Sequence, residues 1–309
     1  MPNRKVIFAH VSTISACIIW GLMSPIGKDA MNNGISGISM VVFRIVGAAL
    51  LFWIASLFTK QKKVESQDKL LIALAAFIEL VCNQCSFTIG LSITSPVNAS
   101  IITTSLPIVT MLLAAIFLHE PLTSKKIIGI FCGVIGALML ILGSASAVSS
   151  KVGDIRGDML CLLSQFAFAC YLSIFKHLME KYDIITFQKW MFLFGSIMIL
   201  PFSFRDVISL PWAAISLKTW VETSFVVMCG TFFAYLLIMT GQKMLRPTVI
   251  SMYYYVDPIV ACLVSVLVGL GVFGWRQTIA IILVFIGVYL VTKNKGRSSK
   301  EKPLQMNNG

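Results

Sequence analysis

Charged residues are scarce in this sequence of 309 residues: they make up 12% of it, about half the share usual in soluble domains. Hydrophobic residues make up 57%, and the mean hydropathy is +0.87. A chain with so little polar surface cannot cover itself in water, so its outer solvent must be lipid. This excludes a soluble enzyme, a disordered protein and a nucleic-acid reader, although the net charge of +12 would otherwise suggest a nucleic-acid partner.

Long polar stretches are also few, and apolar runs fill most of the chain. A helix needs about 20 residues to cross about 30 Å of hydrocarbon, because each residue adds about 1.5 Å. Ten runs of about this length are bounded by charged or turn residues: Val6–Ile26, Gly37–Phe58, Leu70–Leu91, Pro96–Leu118, Ile127–Gly143, Met159–Phe175, Phe187–Phe204, Thr219–Gly241, Pro247–Val272 and Gln277–Thr292. The sequence therefore predicts an all-α polytopic membrane protein with ten transmembrane helices.

Basic residues are unevenly divided between the two sets of predicted loops. With both termini in the cytoplasm, eighteen Lys and Arg residues lie inside and six outside, while Arg44 lies within a span. Cytoplasmic loops are normally enriched in Lys and Arg, so we expect this orientation, with the basic tail after Val291 at the anionic inner leaflet. The first run continues past Cys17 to Ile26, which predicts an uncleaved helix rather than a signal peptide.

Residue patterns for metal or hydrolytic chemistry are missing. All eight cysteines fall inside predicted spans, where cysteine behaves as a small apolar residue. Cys82 and Cys85 have the CxxC spacing, but no second pair completes a four-ligand zinc site. The three histidines are far apart in sequence, and no GxSxG motif is present. The sequence therefore predicts no cofactor, no metal site and no enzymatic activity.

The two halves of the sequence match each other at an offset of 151 residues. The matched pairs are Gly90 with Gly241, Pro96 with Pro247, Ser100 with Ser251, Pro107 with Pro258, Gly136 with Gly287, Phe43 with Phe194 and Trp20 with Tyr171. Prolines and glycines matched at one offset predict a duplicated five-helix unit, with repeats at residues 1–146 and 147–309. Because five is odd, the second copy enters the membrane inverted. Inverted repeats are typical of secondary transporters.

Short motifs recur around the fourth and ninth predicted helices. They comprise Thr94–Ser100, Leu106-Pro107-Ile108 and Phe117–Thr123 in the first half, and Arg246-Pro247-Thr248, Asp257-Pro258-Ile259 and Gly287-Val288 in the second. With Trp20-Gly21, they resemble the drug/metabolite transporter superfamily, in particular its EamA-type permeases, over residues 6–293. The resemblance implies cytoplasmic termini, a cavity lined by helices one to four and six to nine, and export of amino acids, metabolites or toxic compounds. One departure is Glu120, whose repeat mate is Gly271.

Three charged residues lie well inside predicted spans, where a charge is costly and usually functional: Arg44, Glu79 and Asp257. Glu79 and Asn83 are four residues apart and share a helix face. Arg44 has the donor geometry to hold a substrate carboxylate, and Glu79 or Asp257 would alternate between protonated and charged states in a proton-coupled cycle. The alternative is structural: Arg44 and Glu79 form a buried pair between helices two and three, and Asp257 caps a bent helix.

Further candidates are polar, aromatic or conformational. Gln165 is expected to line the cavity, and Tyr253 to share a face with Asp257. Pro107 and Pro258 are expected to kink their helices, either exposing carbonyls in the cavity or simply bending the chain. The aromatic residues either stack on an organic substrate or pack and anchor the helices: Tyr171, Trp190, Tyr235, Tyr254 and Tyr255. Gly129 and Gly133 offer a close-packing face, internal by preference, otherwise for a dimer.

Together these features predict a secondary active transporter that exports a small organic metabolite, amino acid-like or drug-like, across the bacterial inner membrane. The expected mechanism is alternating access with proton coupling. The alternative on the same fold is a uniporter or facilitator, or a translocator of lipids or amphiphiles. Expected partners are a small-molecule substrate, protons and membrane lipids, with no nucleic acid, and the chain is expected to be a monomer or homodimer.

Overall fold

Helices form all the regular structure that the computed structural model describes, namely residues 4–60, 62–94, 99, 102–145, 154–267 and 275–293. They are α1 (Arg4–Asn32), α2 (Gly37–Leu57), α3 (Ser66–Ile93), α4 (Leu106–Phe117), α5 (Ser124–Ala145), α6 (Ile155–Ile174), α7 (Lys176–Lys181), α8 (Ile184–Ile208), α9 (Leu217–Met244), α10 (Pro247–Tyr253), α11 (Val256–Leu267) and α12 (Trp275–Lys293). Eight of the ten predicted apolar runs coincide with helix apart from an end residue, whereas the fourth and ninth runs are, in their described parts, helical with a turn inside each. Parts of the fourth and ninth runs, and the basic tail, lie outside the described residues.

Six helices are long and apolar enough to cross a membrane: α1, α2, α3, α6, α8 and α9. The outer surface of the bundle carries large apolar side chains, among them Leu57, Phe58 and Phe202, which are 80–87% exposed. So much exposed apolar surface is stable only in contact with lipid. The predicted class of fold, an all-helical multi-pass membrane protein, is confirmed.

The fourth and ninth apolar runs are interrupted just before their prolines. Pro107 is the second residue of α4 and follows a turn in which Ser105 N donates to Ile102 O at 2.9 Å. Pro258 lies in the first turn of α11, after a turn at Tyr254 and Tyr255. Proline lacks an N–H and is favoured in a first helical turn, so each proline begins a new helix after the break.

Both α3 and α9 contain a π-helical segment, at Phe77–Cys85 and Met228–Phe233 respectively. The two segments begin 151 residues apart, which is the offset of the sequence repeat. A π-turn widens the helix and disturbs the normal i→i−4 bonding, and such segments are frequent at functional sites. Here a side chain donates a hydrogen bond to the carbonyl five residues before it in each segment. Cys85 Sγ donates to Leu80 O at 3.0 Å, and Thr231 Oγ1 donates to Val226 O at 3.0 Å.

Helix packing is similar in the two halves. At the offset of 151 residues, the counterparts of α1, α2, α3, α4 and α5 are α6, α8, α9, α11 and α12, in that order. Helix α1 packs against α9 and α11, while α6 packs against their counterparts α3 and α4. Two further pairs, α2 with α8 and α5 with α12, each join a helix to its own counterpart. The two halves therefore meet through equivalent surfaces.

Two lysines donate hydrogen bonds to the last turns of α3 and α9. These two helices are counterparts, and their last turns lie at opposite ends of the bundle. Lys28 Nζ on α1 donates to Leu91 O and Ser92 O, the last turn of α3, at 2.7 and 2.8 Å. Lys176 Nζ on α7 donates to Gln242 O in the last turn of α9. Leu91 and Gln242 are themselves 151 residues apart. Cations are favoured at helix C-termini, where carbonyls lack partners within the helix.

Candidate functional site

Arg44 lies in the interior of the bundle and joins three helices. It is 5% exposed and sits on α2, about 10 Å along the axis from the start of that helix. Nε donates to Thr231 Oγ1 on α9 at 3.1 Å, and Nη1 donates to Thr88 Oγ1 on α3 at 2.9 Å. With the Gln84 amide oxygen turned toward the guanidinium, it accepts from Nε and Nη2 at 3.0 Å each. The arginine thus contacts both π segments.

Glu79 makes a second polar cluster on the same π segment of α3. The residue is 1% exposed. Tyr235 Oη, from α9, donates to Oε1 at 2.8 Å, and Asn83 Nδ2 donates to Oε2 at 3.1 Å. Glu79 and Asn83, predicted to share a helix face, are thus hydrogen-bonded to each other. The direct Arg44–Glu79 ion pair is not: within the described residues, no carboxylate oxygen lies within 4.0 Å of Arg44.

Aromatic rings from both halves surround Tyr235. Its ring meets those of Trp20 and Phe192 at centroid distances of 5.9 and 5.1 Å. Trp20 also contacts Tyr254 at 5.4 Å, and its Nε1 donates to Gly230 O in the π segment of α9 at 2.8 Å. Tyr171 belongs to the same buried core, and its hydroxyl has no partner among the described residues. The glutamate cluster therefore lies beside an aromatic wall.

The other predicted site residues make contacts of their own. Gln165 is buried and donates to Ser164 in its own helix at 3.0 Å. Tyr253 Oη pairs with His10 Nδ1 at 2.7 Å, so it is turned toward α1. Asp257 has a buried Oδ1 without a hydrogen-bond partner in the described part of the chain. The structure thus gathers Arg44, Glu79 and Asn83 in one region. Within the described residues, Gln165, Tyr253 and Asp257 form no hydrogen bond to that region.

Three further residues, Trp190, Tyr255 and Glu120, have structural contacts. Trp190 lies against Trp53 at 5.9 Å and under the ammonium of Lys69 at 4.7 Å, as an interfacial anchor would. Tyr255 packs on Gly133. The Glu120 carboxylate accepts from Lys126 Nζ at 2.6 Å and from Thr248 Oγ1 at 3.0 Å. Glu120 therefore ties the α4–α5 loop to α10. Its repeat mate Gly271, and motif residues 95–98 and 100, lie outside the described residues.

The polar site is concentrated in one half of the chain. At the 151-residue offset, the counterpart of Arg44 is Gly195, and the counterpart of Glu79 is Gly230. Leu80 fills the space beside Gly195, and Met23 packs on Gly230. Each half thus supplies an equivalent backbone, but only the first half supplies the charges.

Three contacts of the site were not predicted. Thr88 lies four residues after Gln84, so helical spacing on α3 already placed both on one face. Thr231 and the donor role of Tyr235 depend on α9 packing beside α2 and α3, which the sequence does not report. Among the described residues, no group of three or more His, Cys, Asp or Glu side chains is arranged to hold a metal ion.

A lipid-facing helical bundle with charged groups in its interior is typical of a membrane transport protein. The chain belongs to the EamA-like transporter family, whose sequence pattern matches residues 7–142 and 155–293. The resemblance to EamA-type permeases is thereby confirmed. The protein is a multi-pass membrane transporter of the EamA type.

Individual relatives are distant. The uncharacterized transporter YetK of Bacillus subtilis is 23% identical over 94% of this chain and 89% of its own length. The WAT1-related protein At5g13670 of Arabidopsis thaliana is 22% identical over 94% of this chain and 85% of its own. The match with the uncharacterized transporter YyaM of Bacillus subtilis, at 24% identity, spans 65% of this chain and 66% of YyaM. A solved crystal structure shares the fold, with a TM-score of 0.72 at 14% identity over 92% of this chain and 96% of that chain.

Proposed function

We propose that this protein is a secondary active transporter that exports a small organic metabolite, amino acid-like or drug-like, by alternating access and proton coupling. In this proposal it lies in a bacterial inner membrane with both termini in the cytoplasm, as the distribution of basic residues favours. The observation that carries the proposal is a pair of buried polar clusters, one around Arg44 of α2 and one around Glu79 of α3, each of which includes residues of α3 and α9. Charges buried at this cost usually serve transport.

Ten crossings in two inverted repeats, residues 1–146 and 147–309, are part of the same proposal. Three findings support it: the reciprocal packing of α1 with α9 and of α6 with α3, the two π segments that begin 151 residues apart, and the two stretches matched by the family pattern. Two halves joined through equivalent surfaces can rock about a shared centre, which is how inverted-repeat transporters alternate between openings.

Glu79 is the proton-carrying residue in this mechanism, and Arg44 is the substrate-binding residue. When protonated, Glu79 still accepts from one neighbour and can donate from its own hydroxyl; when charged, it accepts from both Tyr235 and Asn83. The cluster therefore offers Glu79 a hydrogen-bond partner in either protonation state. Arg44 stays charged throughout, since a guanidinium does not lose its proton in a protein.

Reconstitution in liposomes tests the proposal with the Glu79→Gln variant. A ligand found by thermal stabilisation among amino acids, nucleobases and amphiphilic drugs is used in two assays: counterflow, which needs no proton, and accumulation driven by a pH gradient. We expect Glu79→Gln to retain counterflow and to lose gradient-driven accumulation, because Gln cannot exchange a proton.

The matched control is Glu65→Gln, which removes a largely exposed carboxylate just before α3 and should leave both assays unchanged. Gradient-driven accumulation by Glu79→Gln at the wild-type rate would remove Glu79 from the coupling step. Flux through the wild-type protein that never saturates would contradict a transporter altogether and favour an open pore.

A further inference from the structure

A row of two lysines and two tryptophans lies at the end of the bundle where α2 ends and α3 and α8 begin. Lys69 Nζ of α3 lies 4.7 Å from the ring centroid of Trp190 on α8. Trp190 meets Trp53 of α2 edge to face, with ring centroids 5.9 Å apart. Lys189 Nζ of α8 lies 4.9 Å from the centroid of Trp53. These four residues, the Lys–Trp row, thus join three helices through cation–π and aromatic contacts.

The ammonium group of Lys69 is not neutralised by a carboxylate. Among the described residues it forms no hydrogen bond and no ion pair beside its contact with Trp190. The two acidic residues nearest to it along the chain, Glu65 and Asp68, are both bound to Lys181, at 3.0 and 2.6 Å. The positive charge of Lys69 therefore remains available to an anion from outside the chain.

Lys189 is in a similar position at the other end of the row. Asp183 is close enough to attract it electrostatically, but the two residues form no ion pair. The Asp183 carboxylate instead accepts from Thr186 N at 2.8 Å, where it caps the start of α8. In the described part of the chain, Lys189 has no hydrogen-bond partner, so it too can contact an external anion.

The indole N–H groups of the row are also available. Those of Trp20 and Trp212 donate to backbone carbonyls at 2.8 and 3.2 Å. Those of Trp53 and Trp190 donate to no acceptor within the residues that the structure describes. An indole N–H is a donor only and prefers a partner. The row therefore offers two ammonium groups and two N–H groups to a ligand rich in acceptor oxygens.

Apolar side chains continue from the row along the outside of the bundle. Trp53 is 38% exposed, so the row opens onto the lipid-facing surface. Leu50 of α2, Leu74 of α3 and Ile197 of α8 are exposed as well, and each lies about one to two turns further from this end of the bundle. Cations and donors at a helix end, followed by apolar surface, match the order of groups in a phospholipid.

We propose that the Lys–Trp row is a binding site for an anionic phospholipid of the surrounding bilayer. The phosphate accepts from the lysine ammonium groups, the glycerol esters accept from the indole N–H groups, and the acyl chains lie along the apolar side chains. A zwitterionic phospholipid binds less well, because its own ammonium group meets two lysines and no unpaired acid. In the orientation proposed above, this end faces the cytoplasmic leaflet, which is the anionic one.

Native mass spectrometry of the full-length protein in nonionic detergent micelles tests the site, because each bound lipid adds its own mass. The probes are phosphatidylglycerol and phosphatidylcholine with the same acyl chains, and glycerophosphoglycerol, which is the anionic head group without chains. Charge-assisted hydrogen bonds are the stronger ones, so we expect the first phosphatidylglycerol to bind about tenfold more tightly than phosphatidylcholine. Glycerophosphoglycerol should not bind at the same concentrations, because it lacks the apolar contacts.

Variants assign the preference to the row. Lys69→Gln with Lys189→Gln should abolish it, and each single variant should lower it to about threefold. The control is Lys62→Gln with Lys63→Gln, which removes the same charge from the exposed connection between α2 and α3 and should keep the full preference. Lys69→Arg with Lys189→Arg should keep it too, because arginine retains the charge and stacks on aromatic rings.

Several results would overturn the site. Equal binding of the two lipids would remove the role of the lysines, and an equal loss in both Gln double variants would show only general attraction to a basic surface. Binding of glycerophosphoglycerol as tight as that of the lipid would make the occupant a free anion. A doubled protein mass that forms without lipid and is lost in Trp53→Leu would assign the row to a second copy of the chain. None of these results bears on transport, which the liposome assays test separately.

Discussion

Arg44 is held in place by neutral hydrogen-bond acceptors rather than by a counterion. Its partners come from two other helices, so the position of the guanidinium depends on how α2, α3 and α9 pack. Removing one acceptor leaves a buried charged donor less well satisfied, which costs more than the loss of an average hydrogen bond.

The Thr231→Val variant tests this dependence, since it replaces the hydroxyl with a methyl group of similar size. We expect it to destabilise the protein by about 1–3 kcal/mol, seen as a lower apparent Tm in detergent micelles. Thr223→Val is the control, because Thr223 Oγ1 bonds only one turn back in α9, to Thr219 O at 2.8 Å. Equal Tm values for the two variants would argue that Thr231 does not hold Arg44.

Individual contacts were predicted from the sequence where they are local. The four-residue spacing of Glu79 and Asn83 predicted that they share a helix face, and their hydrogen bond is consistent with that spacing. The contacts of Arg44 with Thr231 and of Glu79 with Tyr235 cross 187 and 156 residues of chain, and no local pattern encodes them. For the same reason the sequence left open whether Arg44 pairs with Glu79.

At the scale of helices, α5 and α12 make the tightest backbone approach. A Cβ added to Gly287 would lie 2.5 Å from Gly129 O and 2.9 Å from Gly133 N. These neighbours are backbone atoms, which cannot move aside as a flexible side chain can. The close-packing face of Gly129 and Gly133 is thus an internal one.

Gly287→Ala should therefore separate α5 from α12 and lower the apparent Tm, with a cost of about 1–3 kcal/mol for an overpacked site. Gly27→Ala is the matched control: its added Cβ would meet nothing closer than Val226 Cγ2 at 3.6 Å, an ordinary contact. Because alanine favours a helix more than glycine does, we expect Gly27→Ala to be neutral or slightly stabilising. A Tm loss as large for Gly27→Ala would contradict this account.

Helices as such were predicted well, whereas their irregularities were not. Apolar length alone locates a membrane helix, which is why all ten runs are mainly helical in the described residues. The π segments at Phe77–Cys85 and Met228–Phe233 have no hydropathy signal, because one wider turn leaves the composition unchanged. The prolines indicated that α4 and α11 would be irregular, but the breaks precede the prolines instead of bending helices at them.

At the scale of the whole molecule, a lysine stabilises the last turn of a helix at each end of the bundle. Lys28 holds the last turn of α3, and Lys176 holds the equivalent turn of α9 at the opposite end. We expect Lys28→Gln to increase amide hydrogen exchange at residues 89–94 and Lys176→Gln to increase it at residues 240–245, because each variant loses a charged donor to carbonyls in the last turn of a helix.

Mass spectrometry of the exchanged protein in micelles measures both regions at once. Lys218→Gln is the control, since Lys218 lies at the same end as Lys28 but binds carboxylates on α1 and α9. It should leave residues 89–94 unchanged. If both test variants increased exchange at the same end of the bundle, or if neither increased exchange at all, the two lysines would not stabilise these helix ends as described.

The similarity of these two sets of lysine contacts has an energetic consequence for the rocking of the halves proposed above. Both lysines are engaged in this structure, and opening either end would break contacts of the same chemistry, so we expect the two opposed open states to differ little in free energy. Near such a balance a ligand or a single proton needs only modest selectivity to reverse the populations. Two conformations of nearly equal free energy are both well populated, and a small free energy of ligand binding is enough to favour either one.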